Sequence, residues 1–259
     1  MLVAGIDVGA ATAKAVILSD RKILSHAIIP TGFDVVGAAN EVIELACGEI
    51  DRSQDELEFV ISTGYARSAV PFADKTVTEI RCHARGAHFR LPGVRTIIDI
   101  GGQDSKVIRV NESGSVINFT MNDKCAAGTG RFFEVMAKVL GLDIGEMGPV
   151  ALKSSYPCQI SSTCTVFAES EMISLRAQGR RREDLISGIH KAAVSRIVAM
   201  GKTVGYERQV VLTGGVAKNI AVKEYLEDEI KMEVVLPEEP QITGALGAAL
   251  LAEAELSQK

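Results

Sequence analysis

Short apolar runs separated by polar or glycine-containing turns open the chain. The first run covers residues 3–8 and ends in the turn Asp7-Val8-Gly9, and the second covers residues 15–18. After a polar turn at residues 20–22, a third apolar run covers residues 23–29. Apolar runs of this length joined by short turns predict a β-meander of three strands.

The same pattern returns near residue 97. Asp99 stands 92 positions after Asp7, and each aspartate begins the pattern Asp-x-Gly-x4-Lys-x-(Val/Ile). A turn at residues 111–114 and an apolar stretch at residues 116–121 complete a second meander. We interpret this as an internal duplication, which sets the architecture of the chain. A coincidence between two short segments is the alternative, and the shared downstream hairpin argues against it.

Strands and helices alternate through the rest of the chain. Further strands are predicted at residues 57–62, 209–213 and 232–236. Helices are predicted at residues 34–50, 78–88, 131–140, 166–177, 182–204 and 216–231, and from residue 242 onward. Alternating strands and helices together with two meanders predict a two-lobed α/β protein.

Composition narrows the class of protein. The 259 residues are 47% hydrophobic and 24% charged, which is typical of a globular chain with one large domain or two lobes. A formal charge of −5 argues against nucleic-acid binding, which needs a positive face. Apolar runs stay shorter than the roughly 18–20 residues of a membrane span, and the N-terminus lacks signal-peptide features. We expect a cytoplasmic protein without a membrane partner, whose five cysteines are free thiols or metal ligands.

Three predicted strands end in glycine turns, at Asp7-Val8-Gly9, Asp99-Ile100-Gly101-Gly102 and Thr213-Gly214-Gly215. Glycine allows backbone N–H groups to approach phosphate oxygens that a Cβ atom would obstruct. Asp7 and Asp99 would face a shared cleft, where they could hold Mg²⁺ through water and orient an attacking water. A tight turn without a ligand is the alternative for any single loop, and three such loops in one chain favour phosphate binding.

Two cysteines stand beside predicted helices. Cys125 precedes the small-residue turn 126–130, and Cys164 precedes an apolar, helix-like segment. We expect both sulfur atoms at or near a helix N-terminus, where unpaired N–H groups and the helix dipole favour a thiolate. Two cysteines are too few to hold an iron–sulfur cluster in one chain, but two chains could supply four. Burial as small apolar side chains is the alternative.

The remaining cysteines and two histidines are interpreted mainly as structural. Cys47 lies in an apolar helical stretch, and Cys82 has no partner at metal-ligand spacing. The role of Cys158 stays open. It precedes Cys164 by six residues and could be a metal ligand, but it follows Tyr156-Pro157, which suggests a turn. His83 and His190 fall on predicted helices and are interpreted as packing residues.

Several segments resemble the actin, sugar-kinase and heat-shock ATPase superfamily. They are residues 5–18 (first phosphate loop), 97–110 (second phosphate loop), 210–219 (adenosine motif) and 242–249 (second connecting helix). The resemblance implies an actin-like fold of two ribonuclease-H-like lobes, 1–95 and 96–259, with Mg·ATP in the cleft between them. The C-terminal lobe would carry both cysteines, and the last helix could pack back on the N-terminal lobe. A Walker A lysine loop does not occur in the sequence, which excludes a P-loop enzyme.

One branch of that superfamily matches more closely. Residues 82–87, 99–104, 124–130 and 161–171 resemble the activator ATPases of 2-hydroxyacyl-CoA dehydratases and the related ATPase subunits of benzoyl-CoA reductases. This resemblance implies an ATP-hydrolysing, low-potential one-electron donor. It further implies a homodimer that holds one [4Fe–4S] cluster between its subunits, through Cys125 and Cys164 of each. Ferredoxin or flavodoxin would reduce the cluster, and a 2-hydroxyacyl-CoA dehydratase would accept the electron.

Three alternatives remain open on the sequence. A benzoyl-CoA-type reductase or a double-cubane reductase would use a similar activator. A metal-free small-molecule kinase could share the fold, although little inserted sequence is left to form a substrate pocket. A nucleotide-gated interaction module without ATP turnover is the third.

Site residues follow from the glycine loops and from the resemblance. Catalytic roles are expected for Asp7, Asp99, Gln103 and Asp104. Contacts with ATP, ADP or Mg²⁺ are expected at Gly9, Ala10, Ala11, Thr12, Lys14, Gly101, Gly102, Gly128, Thr129, Gly130, Glu134, Gly214, Gly215, Val216, Asn219 and Gln241.

Overall fold

Two five-stranded sheets with the same internal order form the frame of the protein. The computed structural model describes residues 1–161 and 164–257. The first sheet has the strand order β3-β2-β1-β4-β5, and the second has the order β10-β9-β6-β7-β8. The first contains β1 (Val3–Val8), β2 (Thr12–Ser19), β3 (Lys22–Pro30), β4 (Phe59–Thr63) and β5 (Lys75–Thr76). The second contains β6 (Thr96–Ile100), β7 (Ser105–Val110), β8 (Val116–Asn122), β9 (Val210–Thr213) and β10 (Val234–Val235).

Eight helices in the described part of the chain cover the two sheets. They are α1 (Val35–Gly48), α2 (Glu79–Arg90), α3 (Gly130–Leu140), α4 (Ile144–Ala151), α5 (Thr165–Ala177), α6 (Arg182–Val204), α7 (Ile220–Ile230) and α8 (Thr243–Leu256). Helix α1 packs on β2 and β3, and α8 packs on β1, β2 and β4. Helix α6 packs on β7 and β8. Among these helices, none is both long and apolar enough to cross a membrane.

The register of the central strands repeats in the two sheets. Asp7 of β1 lies opposite Lys14 on the antiparallel side and opposite Thr63 on the parallel side. In the second sheet, Asp99 of β6 lies opposite Lys106 and Thr213 in the same way. Strand order and register therefore both confirm the predicted duplication, and a coincidental match is excluded.

One predicted helix was wrong in detail, and β5 and α4 were not predicted. The helix predicted over residues 216–231 is divided into a short 3₁₀ turn, Gly215–Lys218, and α7, which begins at Ile220. Asn219 causes the break, because its Oδ1 accepts a hydrogen bond from the N–H group of Ala221 (3.1 Å) and caps α7. Helix α4 was not predicted, since it is short and contains Pro149.

Helices α2 and α8 cross with almost no space between their backbones. A Cβ atom on Gly247 of α8 would lie 1.8 Å from the carbonyl oxygen of Cys82 in α2. A Cβ atom on Gly86 would lie 2.1 Å from the carbonyl oxygen of Thr243, and one on Gly5 of β1 would lie 2.0 Å from that of Ala245. Glycine at these positions allows β1, α8 and α2 to stack in direct contact. Helix α2 also contacts β6, β7 and β8, so it lies between the two sheets.

We expect the substitution Gly247→Ala to destabilise this crossing. The added methyl group would meet backbone atoms that cannot move independently, and overpacking of this kind costs about 1–3 kcal/mol of unfolding free energy. Urea unfolding of the variant measures the loss. Gly48→Ala is the matched control, because a Cβ atom at the end of α1 meets no atom within 4 Å. Equal stability of the two variants would contradict the steric argument.

Candidate functional site

Two buried aspartates at the ends of the central strands define the candidate site. Asp7 is 6% exposed and Asp99 is 2% exposed. Each aspartate pairs with the lysine opposite it, with Lys14 Nζ 3.4 Å from Asp7 Oδ2 and Lys106 Nζ 3.3 Å from Asp99 Oδ2. The duplicated sequence pattern thus becomes a duplicated pair of charged groups in the folded protein.

Three carboxylates surround the ammonium group of Lys106. Its side chain is only 2% exposed, and its Nζ lies 2.7 Å from Asp104 Oδ2 and 3.4 Å from Glu79 Oε2, in addition to Asp99. Burial lowers the pKa of Lys106, but Asp99, Asp104 and Glu79 outweigh this effect and the net shift is upward. The lysine is therefore held as a cation inside the protein.

The carboxylates around Lys106 differ in the direction of their pKa shifts. Burial raises the pKa of Asp99, but His83, Lys106 and a hydrogen bond from Thr213 outweigh burial and lower it to about 2. Thr213 Oγ1 donates that bond to Asp99 Oδ1 at 2.9 Å. Burial raises the pKa of Glu79, and the positive charge of Lys106 opposes this effect. Asp99 is consequently ionised at all physiological pH values.

Lys106, Glu79 and His83 were not predicted as site residues. Glu79 and His83 lie on α2, and His83 Nδ1 is 3.4 Å from Asp99 Oδ1. The interpretation of His83 as a packing residue did not anticipate this position. Their spacing of four residues places them on one face of a helix, but that spacing alone could not show which strand the face would meet.

The first and second glycine loops face each other. A Cβ atom on Gly102 would lie 2.4 Å from the Cβ atom of Ala11, so the loops that follow β1 and β6 are in direct contact. The first loop is closed by a hydrogen bond from the N–H group of Gly9 to the carbonyl oxygen of Thr12 (3.0 Å). Ala10 and Ala11 are exposed at its tip. The two loops therefore lie where they could contact one ligand.

The third glycine loop packs against the end of β6. Gly214 has a φ of +85°, and a Cβ atom there would lie 2.3 Å from the carbonyl oxygen of Ile100. Gly64 has the same role in the first sheet, since its φ is +91° and a Cβ atom would lie 2.4 Å from Asp7 Oδ1. Only glycine satisfies both the positive φ and the close approach. Gly215 is exposed, and a Cβ atom on it would lie 3.2 Å from Gln241 Nε2.

The turn after Cys125 is hydrogen-bonded to the second glycine loop. The N–H group of Gly130 donates to the carbonyl oxygen of Gly101 (2.8 Å), and that of Arg131 donates to Gly102 (2.7 Å). Ser105 Oγ donates to the carbonyl oxygen of Gly128 (2.8 Å). Two hydrogen bonds thus link the start of α3 to the loop that follows Asp99, and a third links the preceding turn to β7, so a displacement of either segment would strain the other.

The two candidate cysteines occupy different positions relative to their helices. Cys164 is the residue immediately before α5 and acts as its N-cap, as predicted. Cys125 lies four positions ahead of Thr129, the N-cap residue of α3, so it precedes the small-residue turn that leads into this helix, as predicted. The small-residue turn 126–130 separates Cys125 from the helix, and Asn122 Nδ2 instead donates to the Cys125 carbonyl oxygen (2.7 Å).

Exposure separates the cysteines into two groups. Cys164 is exposed and Cys125 and Cys158 are half-buried, whereas Cys47 and Cys82 are buried. Burial raises the pKa of Cys47 and raises that of Cys82 to about 12, so both are neutral thiols in the core, as predicted. Within residues 1–161 and 164–257, no group of three or more His, Cys, Asp or Glu side chains is placed to hold a metal ion.

Four of the other expected site residues lie around the three glycine loops. Gln103 and Glu134 are exposed, and Glu134 Oε2 accepts a hydrogen bond from Arg131 Nη1 (3.0 Å). Val216 is buried. Asn219 caps α7 with its Oδ1, and its Nδ2 donates to His190 Nε2 (2.9 Å).

His190 fits its interpretation as a packing residue. It is fully buried, and burial lowers its pKa to about 4. Nδ1 lies 2.8 Å from the carbonyl oxygen of Ile186, an acceptor, so this nitrogen carries the proton. Nε2 then accepts from Asn219, and the neutral ring fixes the side chain that caps α7.

We expect the substitution Lys106→Met to destabilise the protein strongly. It would leave the buried Asp99 and the half-buried Asp104 and Glu79 without their cation, and removal of one partner from a buried ion pair costs about 3–5 kcal/mol of unfolding free energy. Lys14→Met is the matched control, because the Lys14 side chain is 13% exposed and its pair with Asp7 is more solvated. Urea unfolding compares the two variants. An equal loss of unfolding free energy in both would contradict the special role of the carboxylates around Lys106.

Stability should also depend on the ionisation of Asp99. Because its pKa is lower in the folded than in the unfolded protein, where it is about 4, its contribution is fully present above about pH 4. That contribution is lost as the pH falls through the folded value of about 2. Urea unfolding at several pH values should show the stability difference between the wild type and Asp99→Asn shrinking towards low pH. The exposed Asp123→Asn control should give a difference that does not change with pH.

Comparison with known proteins identifies the family. The model of the BadF/BadG/BcrA/BcrD ATPase family matches residues 4–252. The chain is 44% identical to the 2-hydroxyisocaproyl-CoA dehydratase activator of Clostridioides difficile, over 100% of this chain and 98% of the relative. It is 45% identical to the activator of lactoyl-CoA dehydratase of Anaerotignum propionicum, over 97% of each chain. A benzoyl-CoA reductase subunit of Thauera aromatica is 30% identical, over 96% of this chain and 92% of the relative.

A solved structure agrees with these matches. The activator of the 2-hydroxyisocaproyl-CoA dehydratase from Clostridium difficile with bound ADPNP superimposes with a TM-score of 0.94, covering 100% of this chain and 97% of that one. The predicted actin-like ATPase fold is therefore confirmed, as is the resemblance to the activator branch. The chain belongs to the BadF/BadG/BcrA/BcrD ATPase family.

Proposed function

We propose that this ATPase is a low-potential one-electron donor that activates a 2-hydroxyacyl-CoA dehydratase. The observation that carries the proposal is the set of hydrogen bonds from Gly130 and Arg131 to Gly101 and Gly102. Those bonds join the segment of the candidate ligand Cys125 to a glycine loop of the nucleotide cleft. A chain that only hydrolysed ATP would not require this connection.

The charges in the cleft fit a nucleotide with a divalent cation. The carboxylates of these ion pairs outnumber the lysines, with Asp7, Asp99, Asp104 and Glu79 against Lys14 and Lys106. This excess of negative charge suits Mg²⁺. Mg²⁺ keeps several waters and usually binds one or two carboxylates and the phosphates, so it needs no cage of three protein ligands. The bound ion would neutralise charge on the phosphate groups. Asp7 and Asp99 would hold it through water, and the three glycine loops would contact the phosphates.

Cys125 and Cys164 fit a cluster shared between two chains. Neither is fully buried, unlike Cys47 and Cys82, and two from each chain would supply the four thiolates of a [4Fe–4S] cluster. Val166 and Phe167, at the start of α5 beside Cys164, are each 67% exposed. Apolar side chains of this exposure suit an interface with a second copy. The cluster would supply one-electron transfer at low potential.

A conformational change caused by ATP hydrolysis in the cleft would be transmitted to Cys125 through backbone hydrogen bonds. Loss of the terminal phosphate would change the contacts of the loop at Gly101 and Gly102. The hydrogen bonds of this loop to Gly130 and Arg131 would transmit the change to the turn 126–130 and so to Cys125. Cys164, as the N-cap of α5, would move with that helix.

The relatives favour a dehydratase as the acceptor. The two that are 44% and 45% identical are named as dehydratase activators, whereas the benzoyl-CoA reductase relative is 30% identical. We propose ferredoxin or flavodoxin as the electron donor and the cytoplasm as the location. A benzoyl-CoA-type or double-cubane reductase remains the alternative acceptor.

Iron content tests the proposal directly. Protein purified without oxygen should contain about four iron and four sulfide per two chains, and should be a dimer by light scattering. Cys125→Ser and Cys164→Ser should each lose the iron, because every chain would lack one ligand. Cys158→Ser is the matched control, since Cys158 is also half-buried, and it should retain the iron. Iron-free wild-type protein, or loss of iron only in the Cys158 variant, would contradict the cluster assignment.

A further inference from the structure

The two duplicated halves of the cleft differ in their contacts with α2. Each aspartate pairs with the lysine opposite it on the antiparallel neighbouring strand, but the pair of Asp99 and Lys106 also contacts two residues of α2. Glu79 reaches Lys106, and His83 reaches Asp99. Duplication explains the symmetric contacts, whereas the contacts of α2 require a separate explanation.

His83 lies between the two aspartates. Its side chain is 7% exposed, and Nδ1 is 3.4 Å from Asp99 Oδ1 without making a hydrogen bond to any described residue. On the other side, a Cβ atom on Gly244 would lie 3.2 Å from His83 Nε2 and 2.9 Å from Asp7 Oδ2. Gly244 therefore lies next to both the imidazole and the Asp7 carboxylate, in a place where a larger side chain would contact both groups.

The position of His83 is fixed by the crossing of α2 and α8. The neighbouring residue Cys82 contacts Gly247 through its backbone, and Gly86 contacts Thr243. A ring held this firmly, with a buried nitrogen that lacks a hydrogen bond, is costly unless that nitrogen gains a partner in another state. The carboxylate of Asp99, 3.4 Å away, is the group that could become this partner after a small movement.

We propose that His83 is a positioning residue for ATP hydrolysis, whose imidazole sets the orientation of Asp99 and its separation from Asp7 when nucleotide is bound. This inference rests on the proposed use of the cleft for ATP. Closure of the two glycine loops on the phosphates would shorten the contact between Nδ1 and Asp99 into a hydrogen bond. Nε2, beside Gly244, would limit how closely Asp7 approaches.

Substitutions at position 83 test this role. In the full-length dimer purified without oxygen, His83→Ala should lower kcat for ATP hydrolysis by about 10- to 100-fold, the effect of misplacing a reacting group by ~1 Å. KM for ATP should stay nearly unchanged, because His83 contacts carboxylates and not the glycine loops. His83→Asn places an amide nitrogen close to the position of Nδ1 and should recover much of kcat. His83→Gln, whose amide nitrogen reaches the position of Nε2, should recover less.

His88→Asn is the matched control, since it makes the same change on the same helix. His88 lies beside Gly114, away from both aspartates, and the variant should hydrolyse ATP at the wild-type rate. Thermal unfolding of each variant separates a loss of folded protein from a loss of kcat. If His83→Ala does not fold, the comparison of Asn with Gln still decides the question.

Two results would overturn the inference alone. One is a wild-type kcat in His83→Ala, and the other is an Asn variant no more active than Gln. A fall in kcat that only follows the loss of folded protein would likewise assign His83 a purely structural role. Wild-type protein that hydrolyses no ATP would instead overturn the proposed function, and the inference with it.

Discussion

The buried ion pair of Lys106 with Asp99 is the constraint on which the cleft depends. Removal of charged groups from water costs several kcal/mol per ion, and only close partners offset that cost. Lys106 has three carboxylates within 3.4 Å, from β6, from the loop that follows it, and from α2. Because these groups come from separate parts of the chain, the lysine fixes their relative positions. The proposed nucleotide cleft is thus built around a charge that solvent barely reaches.

This constraint extends to the region of the cysteines. The loop that supplies Asp104 also carries the carbonyl oxygens of Gly101 and Gly102, which accept hydrogen bonds from the start of α3. Backbone hydrogen bonds keep their geometry better than contacts between long side chains, since fewer rotatable bonds intervene. A movement of this loop would therefore be transmitted to the turn 126–130. The proposed coupling of hydrolysis to electron transfer needs a connection of this kind.

The sequence predicted much of the symmetric part of the site and missed the asymmetric part. The duplicated pattern led to the prediction of Asp7, Lys14 and Asp99 as site residues, whereas Lys106, which lies opposite Asp99, was not assigned to the site. His83 reaches Asp99 because α2 crosses α8 at glycines, a tertiary contact with no local signal. The break at Asn219 was missed because a capping asparagine competes with the helical pattern around it.

The position of the cysteines follows from where the two copies of the repeat diverge. In the first copy, residues 31–58 connect β3 to β4 and contain one α-helix, α1. In the second, residues 123–209 connect β8 to β9, and α6 packs on β7 and β8 as α1 packs on β2 and β3. The part of the second connection that precedes α6 has no counterpart in the first, and it contains both Cys125 and Cys164. The duplicated frame provides the paired aspartates and glycine loops, which would surround a nucleotide from both halves in the proposed function. The additional segment changes neither central strand, so it could acquire a second kind of chemistry while the ion pairs of the cleft stayed intact.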